Sequence, residues 1–271
     1  MGLRVNTNVA SIGAQRNLSQ VTDRLQGNYA RLASGLRIAS AADDAAGLGI
    51  SESLRSSIRS FGVAGRNAQD GLSLSQTAEG ALGEVSNILG RLRELAVQST
   101  NGTLNTDDRN TLNNEFTALT SEISRISTDT EFNGISLLAA DDSVSIQVGL
   151  DSGQTIDVGL VDVSTSNLAI NSSSVATQDG ANTALAAIDA AIVTVSGARG
   201  ELGADQNRLQ SAFRSIQSSR ENLSAAESRI RDVDVAVETA DLTRNSILQQ
   251  AATSILSQAN SQPQLALSLL G

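Results

Sequence analysis

The chain has no His and no Cys, and reading along it finds no Lys either, since all 19 basic residues are Arg. Without imidazole or thiolate it cannot build a Ser/His/Asp triad, a Cys/His pair, a zinc site with nitrogen or sulfur ligands, a haem or an iron–sulfur cluster. Without Lys there is no Schiff base and no phosphate-binding P-loop. Only oxygen chemistry remains, from carboxylate pairs or from magnesium or calcium held by Asp and Glu. Aromatics are nearly as scarce, with four Phe, one Tyr and no Trp in 271 residues. Leu, Ile, Val and Ala must therefore supply the apolar contacts, and they suit helix-on-helix seams better than the thick core of a sandwich or an α/β sheet. A single Pro, Pro263, leaves Gly and polar turn clusters as the main interruptions of helix.

Positive charge is also in short supply, the formal net charge being −10. Such a surface does not displace the counterions of nucleic acid or settle on an anionic membrane. No run approaches the eighteen or so apolar residues of a spanning helix, and Met1 to Ser11 lacks the basic and apolar regions of a signal peptide. The expectation is no nucleic-acid partner, no membrane partner, and a protein that stays in the cytoplasm or leaves it without cleavage. The absence of Cys means independence from disulfides.

What the chain does have is heptads. Leu74, Ala78, Ala81, Val85, Ile88, Leu92 and Leu95 alternate in steps of four and three, and Leu112, Phe116, Leu119, Ile123 and Ile126 repeat the pattern after a polar turn, Ser99 to Asp108. Ile188, Val195, Leu202, Leu209, Ile216, Leu223 and Ile230 then fall at every seventh residue. The companion slots, four residues on, mix apolar Ile192 and Phe213 with Arg199, Gln206, Arg220 and Glu227. Those polar slots either lie at the edge of the seam or fix register and pair across a subunit contact. A helix from Ala184 to Arg231 would be about 70 Å long, against roughly 50 Å for the diameter of a compact chain of this size, so a rod of antiparallel helices is expected.

One segment changes period. Val144, Ile146, Val148 and Leu150 alternate with polar or small residues, Asp151-Ser152-Gly153-Gln154 supplies a turn, and Ile156, Val158 and Leu160 alternate again, predicting a β-hairpin. Ser164 to Asn182 has no periodicity and reads as a surface loop. Both ends are amphipathic. Leu18, Val21, Leu25, Tyr29, Leu32 and Leu36 form one stripe; Ile247, Ala251, Ile255 and Ala259, flanked by Leu248, Ala252 and Leu256, form another. A lone stripe of six side chains, each contributing roughly 1.5–3 kcal/mol, cannot offset the ordering of some 25 residues at about 1–2 kcal/mol each. The stripes must pack on each other or on other subunits.

Asp43 and Asp44 are too few oxygens for a metal and read as solvated or capping carboxylates. Asp232, Asp234 and Glu238 lack the central Gly of a calcium loop and read as solvated acids. Gly47 and Gly49 form a bare G-x-G without phosphate-binding context. The expected fold is mainly α: an elongated antiparallel coiled-coil or helical-bundle rod with one β-hairpin, plus paired N- and C-terminal helices. Its parts are an N-terminal arm (1–42), a rod (43–231, with helices about 44–99, 105–129 and 184–231, hairpin about 143–161 and variable loop 164–182) and a C-terminal arm (232–271).

The stretch Arg31-Leu32-Ala33-Ser34-Gly35-Leu36-Arg37-Ile38, followed by Ser40-Ala41-Ala42-Asp43-Asp44-Ala45-Ala46-Gly47, closely resembles the N-terminal signature of bacterial flagellin, as does the start, Val5-Asn6-Thr7-Asn8. So do Leu202-Gly203-Ala204 with Gln206-Asn207-Arg208, Ser228-Arg229-Ile230 with Asp232 and Asp234, Ile247-Leu248-Gln249-Gln250-Ala251 and the ending Leu267-Ser268-Leu269-Leu270. The resemblance covers roughly residues 1–165 and 183–271, and lacks the variable outer domain of longer flagellins. It implies a minimal flagellin: a secreted, extracellular structural subunit, not an enzyme, exported through the flagellar type III channel and polymerised into the motility filament without cofactors or metals.

By the same resemblance, Leu18, Val21, Leu25, Leu32, Leu36, Ile247, Ala251, Ile255, Leu256 and Ala259 pack the inner tube of the filament. Arg91, Leu95 and Glu115, with Arg208, serve contacts between protofilaments and contact the innate-immune Toll-like receptor for flagellin, although Gly90 replaces a commonly polar residue. Implied partners are further copies of the chain, an export chaperone at the C-terminal arm, and filament cap and hook-junction proteins. Two alternatives are a hook–filament junction protein of the same superfamily and a metallopeptidase flagellin, the latter excluded by the lack of His.

Overall fold

The computed structural model describes residues 7–268, with side chains described for 7–262; Val5 and Asn6 of the first motif and Leu269 and Leu270 of the last lie outside the described residues. Five helices carry the fold among these residues: α1 (Val9–Ser34), α2 (Ala45–Ser99), α3 (Thr106–Asp129), α4 (Gln178–Arg231) and α5 (Val235–Ser268). Strands β1 (Glu131–Phe132), β2 (Ile135–Ser136), β3 (Asp142–Gln147) and β4 (Thr155–Leu160) lie between α3 and α4 and form two antiparallel hairpins. The expected hairpin is β3–β4, with Val144 opposite Val158 and Ile146 opposite Ile156. The shorter β1–β2 turns at Asn133-Gly134, where φ is 51° and 77°, the left-handed pair that a two-residue hairpin needs.

The chain divides into two compact units, residues 57–221 and residues 1–56 with 222–271. This boundary falls inside α2 and α4, not at residue 43 or 231. The reason is electrostatic as well as apolar. Glu52 accepts from Arg55 at 3.0 Å and from Arg231 at 3.0 Å, and Arg55 lies 4.0 Å from Glu227, so the start of α2 is tied to the end of α4 within the second of these units.

In the 57–221 unit, α2, α3 and α4 share one core with the larger hairpin. Leu82, Val85, Leu89, Leu92 and Leu95 of α2, Phe116 and Ile123 of α3, and Ile188, Val195, Leu202 and Leu209 of α4 are buried together. The seventh-residue row is fully buried from Ile188 to Leu209 and nearly so at Ile216, but Leu223 and Ile230, beyond this unit, are only half-buried. Its companion row lies three residues on, not four. Ala184, Ala191 and Ala198 are buried, whereas Arg199 and Arg220 are exposed and Gln206 donates to Glu79 at 2.8 Å. Alanine at alternate layers lets neighbouring helices approach closely, and the polar slots lie at the edge of the seam.

The segment after β4 departs from its expected character in two ways. Leu168, Ile170 and Val175 are buried in the core, and Asn113 of α3 accepts from the Val175 backbone and the Ser174 hydroxyl, both at 2.9 Å. Helix α4 also begins at Gln178, six residues before Ala184, because the Thr177 hydroxyl accepts from Gly180 N–H at 3.1 Å and Asp179 stands in the first turn. The larger hairpin is held to both flanking helices: Asn67 of α2 donates to the Gln147 carbonyl at 3.1 Å, and Asp205 of α4 accepts from Gly159 N–H at 3.3 Å.

Candidate assembly site on the terminal helices

The unit formed by residues 1–56 and 222–271 is built on α1 and α5, which lie against each other. Each helix is set up by local chemistry. The Asn8 side chain caps α1 by accepting from Ser11 N–H at 3.0 Å, and Gly35, at φ 71°, ends it by donating to the Arg31 carbonyl at 2.8 Å. Asp234 caps α5 through the N–H groups of Ala236 and Val237 at 2.9 and 3.2 Å, while Asp44 caps the start of α2 through Gly47 N–H at 2.9 Å. The two connecting segments pair with each other: Arg37 N–H donates to the Arg231 carbonyl at 2.7 Å and Val233 N–H to the Gly35 carbonyl at 3.0 Å. Asp43 accepts from the Ser40 N–H and hydroxyl and from Ala39 N–H, and the Ser40 bonds hold its carboxyl below the usual carboxylate range.

On α1 the protected row is Ser11, Ala14, Leu18, Val21, Leu25, Asn28 and Leu32; on α5 it is Glu238, Leu242, Asn245, Gln249, Ala252, Leu256 and Ala259. Both rows step by threes and fours, the signature of a coiled-coil seam. Leu36 is half-buried in the connection, and Tyr29, one residue from the seam position Asn28, points to solvent. The α5 row differs from the stripe read in the sequence. Ile247 and Ile255 are 61% and 60% exposed and Ala251 is exposed, so of that stripe only Ala259, with the flanking Leu256 and Ala252, faces α1. The displaced residues form an outward apolar face with Leu248, matched on α1 by exposed Val9 and Ile12.

The seam also carries polar residues that apolar pattern-reading passed over. Glu238 is only 7% exposed and not a solvated acid: Asn28 Nδ2 donates to its Oε1 at 2.6 Å, and Arg31 Nη1 approaches it at 3.4 Å. Asn28 Oδ1 in turn accepts from Asn245 Nδ2 at 2.8 Å. At the far end Asn8 donates to the Ala259 carbonyl at 2.7 Å and Ser11 to Asn260 Oδ1 at 2.6 Å. Complementary Asn, Ser and Glu at seam positions on helices more than 200 residues apart were the available signal.

In the other unit, the four residues singled out on the rod fare differently. Arg91 bridges Glu115 of α3, at 2.7 Å, and Glu94 of its own helix, at 2.9 Å; these carboxylates, Glu94 first, raise the guanidinium further above its usual pKa. Arg208 pairs with Asp205 on its own helix at 2.9 Å. Leu95 is a correction: it is 0% exposed, a core residue that presents nothing to a partner. Its position in the apolar seam, shared with Leu92 and Ala96, is the reason. A shallow depression of about 380 Å³ on the open side of α2 is lined instead by Gly90, Arg93, Glu94, Val97 and Gln98. No cluster of metal-ligating side chains occurs among the described residues.

Comparison with known proteins agrees with this architecture. Residues 5–143 match the bacterial flagellin N-terminal helical region, and residues 185–270 match the bacterial flagellin C-terminal helical region. A flagellin of Halalkalibacterium halodurans is 48% identical over 269 residues, covering 98% of this chain and 99% of its own. One from Bacillus subtilis is 43% identical over 305 residues, covering 99% and 100%. The flagellar filament 30.7 kDa core protein of Treponema maltophilum is 40% identical over 282 residues, covering 98% and 99%. Among solved structures, Bacillus cereus flagellin aligns with a TM-score of 0.52 at 34% identity, covering 60% of this chain and 94% of that one. A putative flagellar hook-associated protein of Vibrio parahaemolyticus shares the fold, with a TM-score of 0.61 at 18% identity, covering 70% of this chain and 100% of that one. With both helical regions matched and full-length relatives well above 30% identity, the chain belongs to the bacterial flagellin family.

Proposed function

We propose that the chain is the repeating subunit of the extracellular flagellar filament, exported without a cleaved signal through the flagellar type III system and added at the filament tip. The observation that carries the reading is the outward apolar face of α1 and α5. A single copy covers one row of each terminal helix and leaves Ile247, Leu248 and Ile255 with Ile12 in water. Burying each of these against a neighbour contributes roughly 1.5–3 kcal/mol. Because that face differs from the seam already used, the contact is head-to-tail, and a head-to-tail contact that does not close into a ring continues as a helix. The terminal pair then forms the inner tube, with Leu18, Val21, Leu25, Leu32, Leu36, Leu256 and Ala259 holding the pair and Ile247, Ala251 and Ile255 joining copies.

The outward Arg91–Glu115 pair and Arg208 supply lateral contacts between protofilaments and the patch a Toll-like receptor reads. The C-terminal arm is the segment an export chaperone holds before assembly, and cap and hook-junction proteins meet the same terminal helices at the filament's ends. A junction-protein role is not favoured, since the similar full-length relatives are flagellins and filament core proteins and the hook-associated likeness extends to fold alone.

Electron microscopy of the purified chain under polymerising conditions tests the reading. The full chain forms long filaments, and chains lacking residues 1–36 or 240–271 stay soluble and helical without polymerising. Filaments from either truncation would overturn the role given to the ends.

A further inference from the structure

A seam that repeats every seven residues on both helices carries an ambiguity. Sliding α5 along α1 by seven residues, about 10 Å at 1.5 Å per residue, again sets apolar positions opposite one another. The apolar members do little to choose between the alignments, because Leu18, Val21, Leu25 and Leu32 meet Ala252, Leu256 and other residues of similar or smaller size. One layer is different. There Glu238 is buried, Asn28 uses both ends of its amide, donating to Glu238 and accepting from Asn245, and Arg31 closes the layer from the side. The carboxylate can only accept, so its partner must be the NH2 end of Asn28, which leaves Oδ1 for Asn245.

We propose that Asn28, Glu238 and Asn245 form a register lock for the terminal helix pair. The native alignment is the one in which this carboxylate is satisfied. A slip of seven residues in one direction sets Val21 in the place of Asn28, against Glu238, with no donor to offer, and an unpaired buried carboxylate is costly. A slip the other way sets Gly35, beyond the end of α1, opposite Glu238 and removes a heptad of seam. The distal contacts of Asn8 and Ser11 are part-buried, so water can replace them in a slipped alignment. The lock therefore acts on specificity more than on net stability, and it requires only that α1 and α5 pair within one chain, independently of filament formation.

The absence of native Cys makes the test direct. Q15C and T243C place nitroxide labels on exposed positions of α1 and α5 in the full-length chain, and trimethylamine N-oxide favours the ordered pair. Pulsed electron spin resonance on the otherwise native chain is expected to give a single label separation, and E238Q, which still accepts from Asn28, keeps it. N28L/E238L/N245L is expected to split the signal into populations whose axial offsets differ by about 10 Å, without loss of helicity. V21N/N28V moves the lock by one heptad and is expected to move the mean separation with it. A single unchanged separation in the triple-leucine variant, or several in the otherwise native chain, overturns the proposal. If the triple-leucine variant does not order the pair, V21N/N28V decides alone: a transplant left in the original register, or disordered, overturns the lock.

Discussion

Replacing Leu209 with alanine isolates the strength of the α4 seam. Leu209 is fully buried in the 57–221 core, two turns before Ile216 and one heptad after Leu202. Truncation removes the γ carbon and both δ methyls from a site closed on every side, and a buried Leu→Ala change of this kind costs about 3–4 kcal/mol. For a unit of this size each kcal/mol lowers Tm by about 2–4 °C, so a fall of roughly 6–15 °C is expected. Leu223, two heptads further along the same row but half-buried, should cost about 1 kcal/mol because little of its surface has left water. Thermal unfolding followed by circular dichroism reads both, and amide exchange along residues 185–215 reads the L209A loss locally. Equal shifts for L209A and L223A, or a Tm of L209A within error of the parent, would refute the claim that burial, not heptad position, sets the energetics.

Other perturbations discriminate at finer scale. A Cβ at Gly47 would meet the Asp44 carboxylate that caps it and Ile38 Cδ1 at 2.8 Å, whereas Gly49 has nothing within 4 Å; G47A should destabilise by about 1–3 kcal/mol and G49A stabilise by about 0.5–1 kcal/mol in denaturant titration. Arg109 donates to the carbonyls of Ser99, Leu104 and Asn101 at 3.0, 2.8 and 2.8 Å, fastening the α2–α3 turn. R109A should cost about 1–3 kcal/mol and R109K should not restore it, since an ammonium cannot reach three carbonyls in fork geometry. The Glu52 carboxyl is held below its usual range by hydrogen bonds from Arg55 first and Arg231 second. A depressed folded-state pKa contributes stability that is present above the unfolded value and lost as pH falls through the folded one. Carbon-detected titration should find that R55A raises the Glu52 value more than R231A does.

Much of the fold was legible because its signals are periodic and local. The seventh-residue row from Ile188, the alternation at Val144–Ile146 and Ile156–Val158, and the stripe from Leu18 to Leu32 each announce an element without reference to the rest of the chain. The Asn133-Gly134 turn was equally local, but its flanking strands are two residues long, too short for alternation to register. Leu168, Ile170 and Val175 escaped for a different reason: a loop that docks on a core has no period, so its buried side chains look like scattered ones.

The amino-acid order alone determined that this is a helical protein with amphipathic ends and without imidazole or thiol chemistry, because periodicity and absent residue types need no partner to be read. Tertiary structure decided which side of each stripe is spent within the chain. It turned Leu95 into the core, set Ile247 and Ile255 outward while Leu256 and Ala259 meet α1, and buried Glu238 against Asn28 across 210 residues of sequence. A helix three to four residues per turn offers several adjoining apolar faces, and only the position of the neighbouring helix selects which one loses its water.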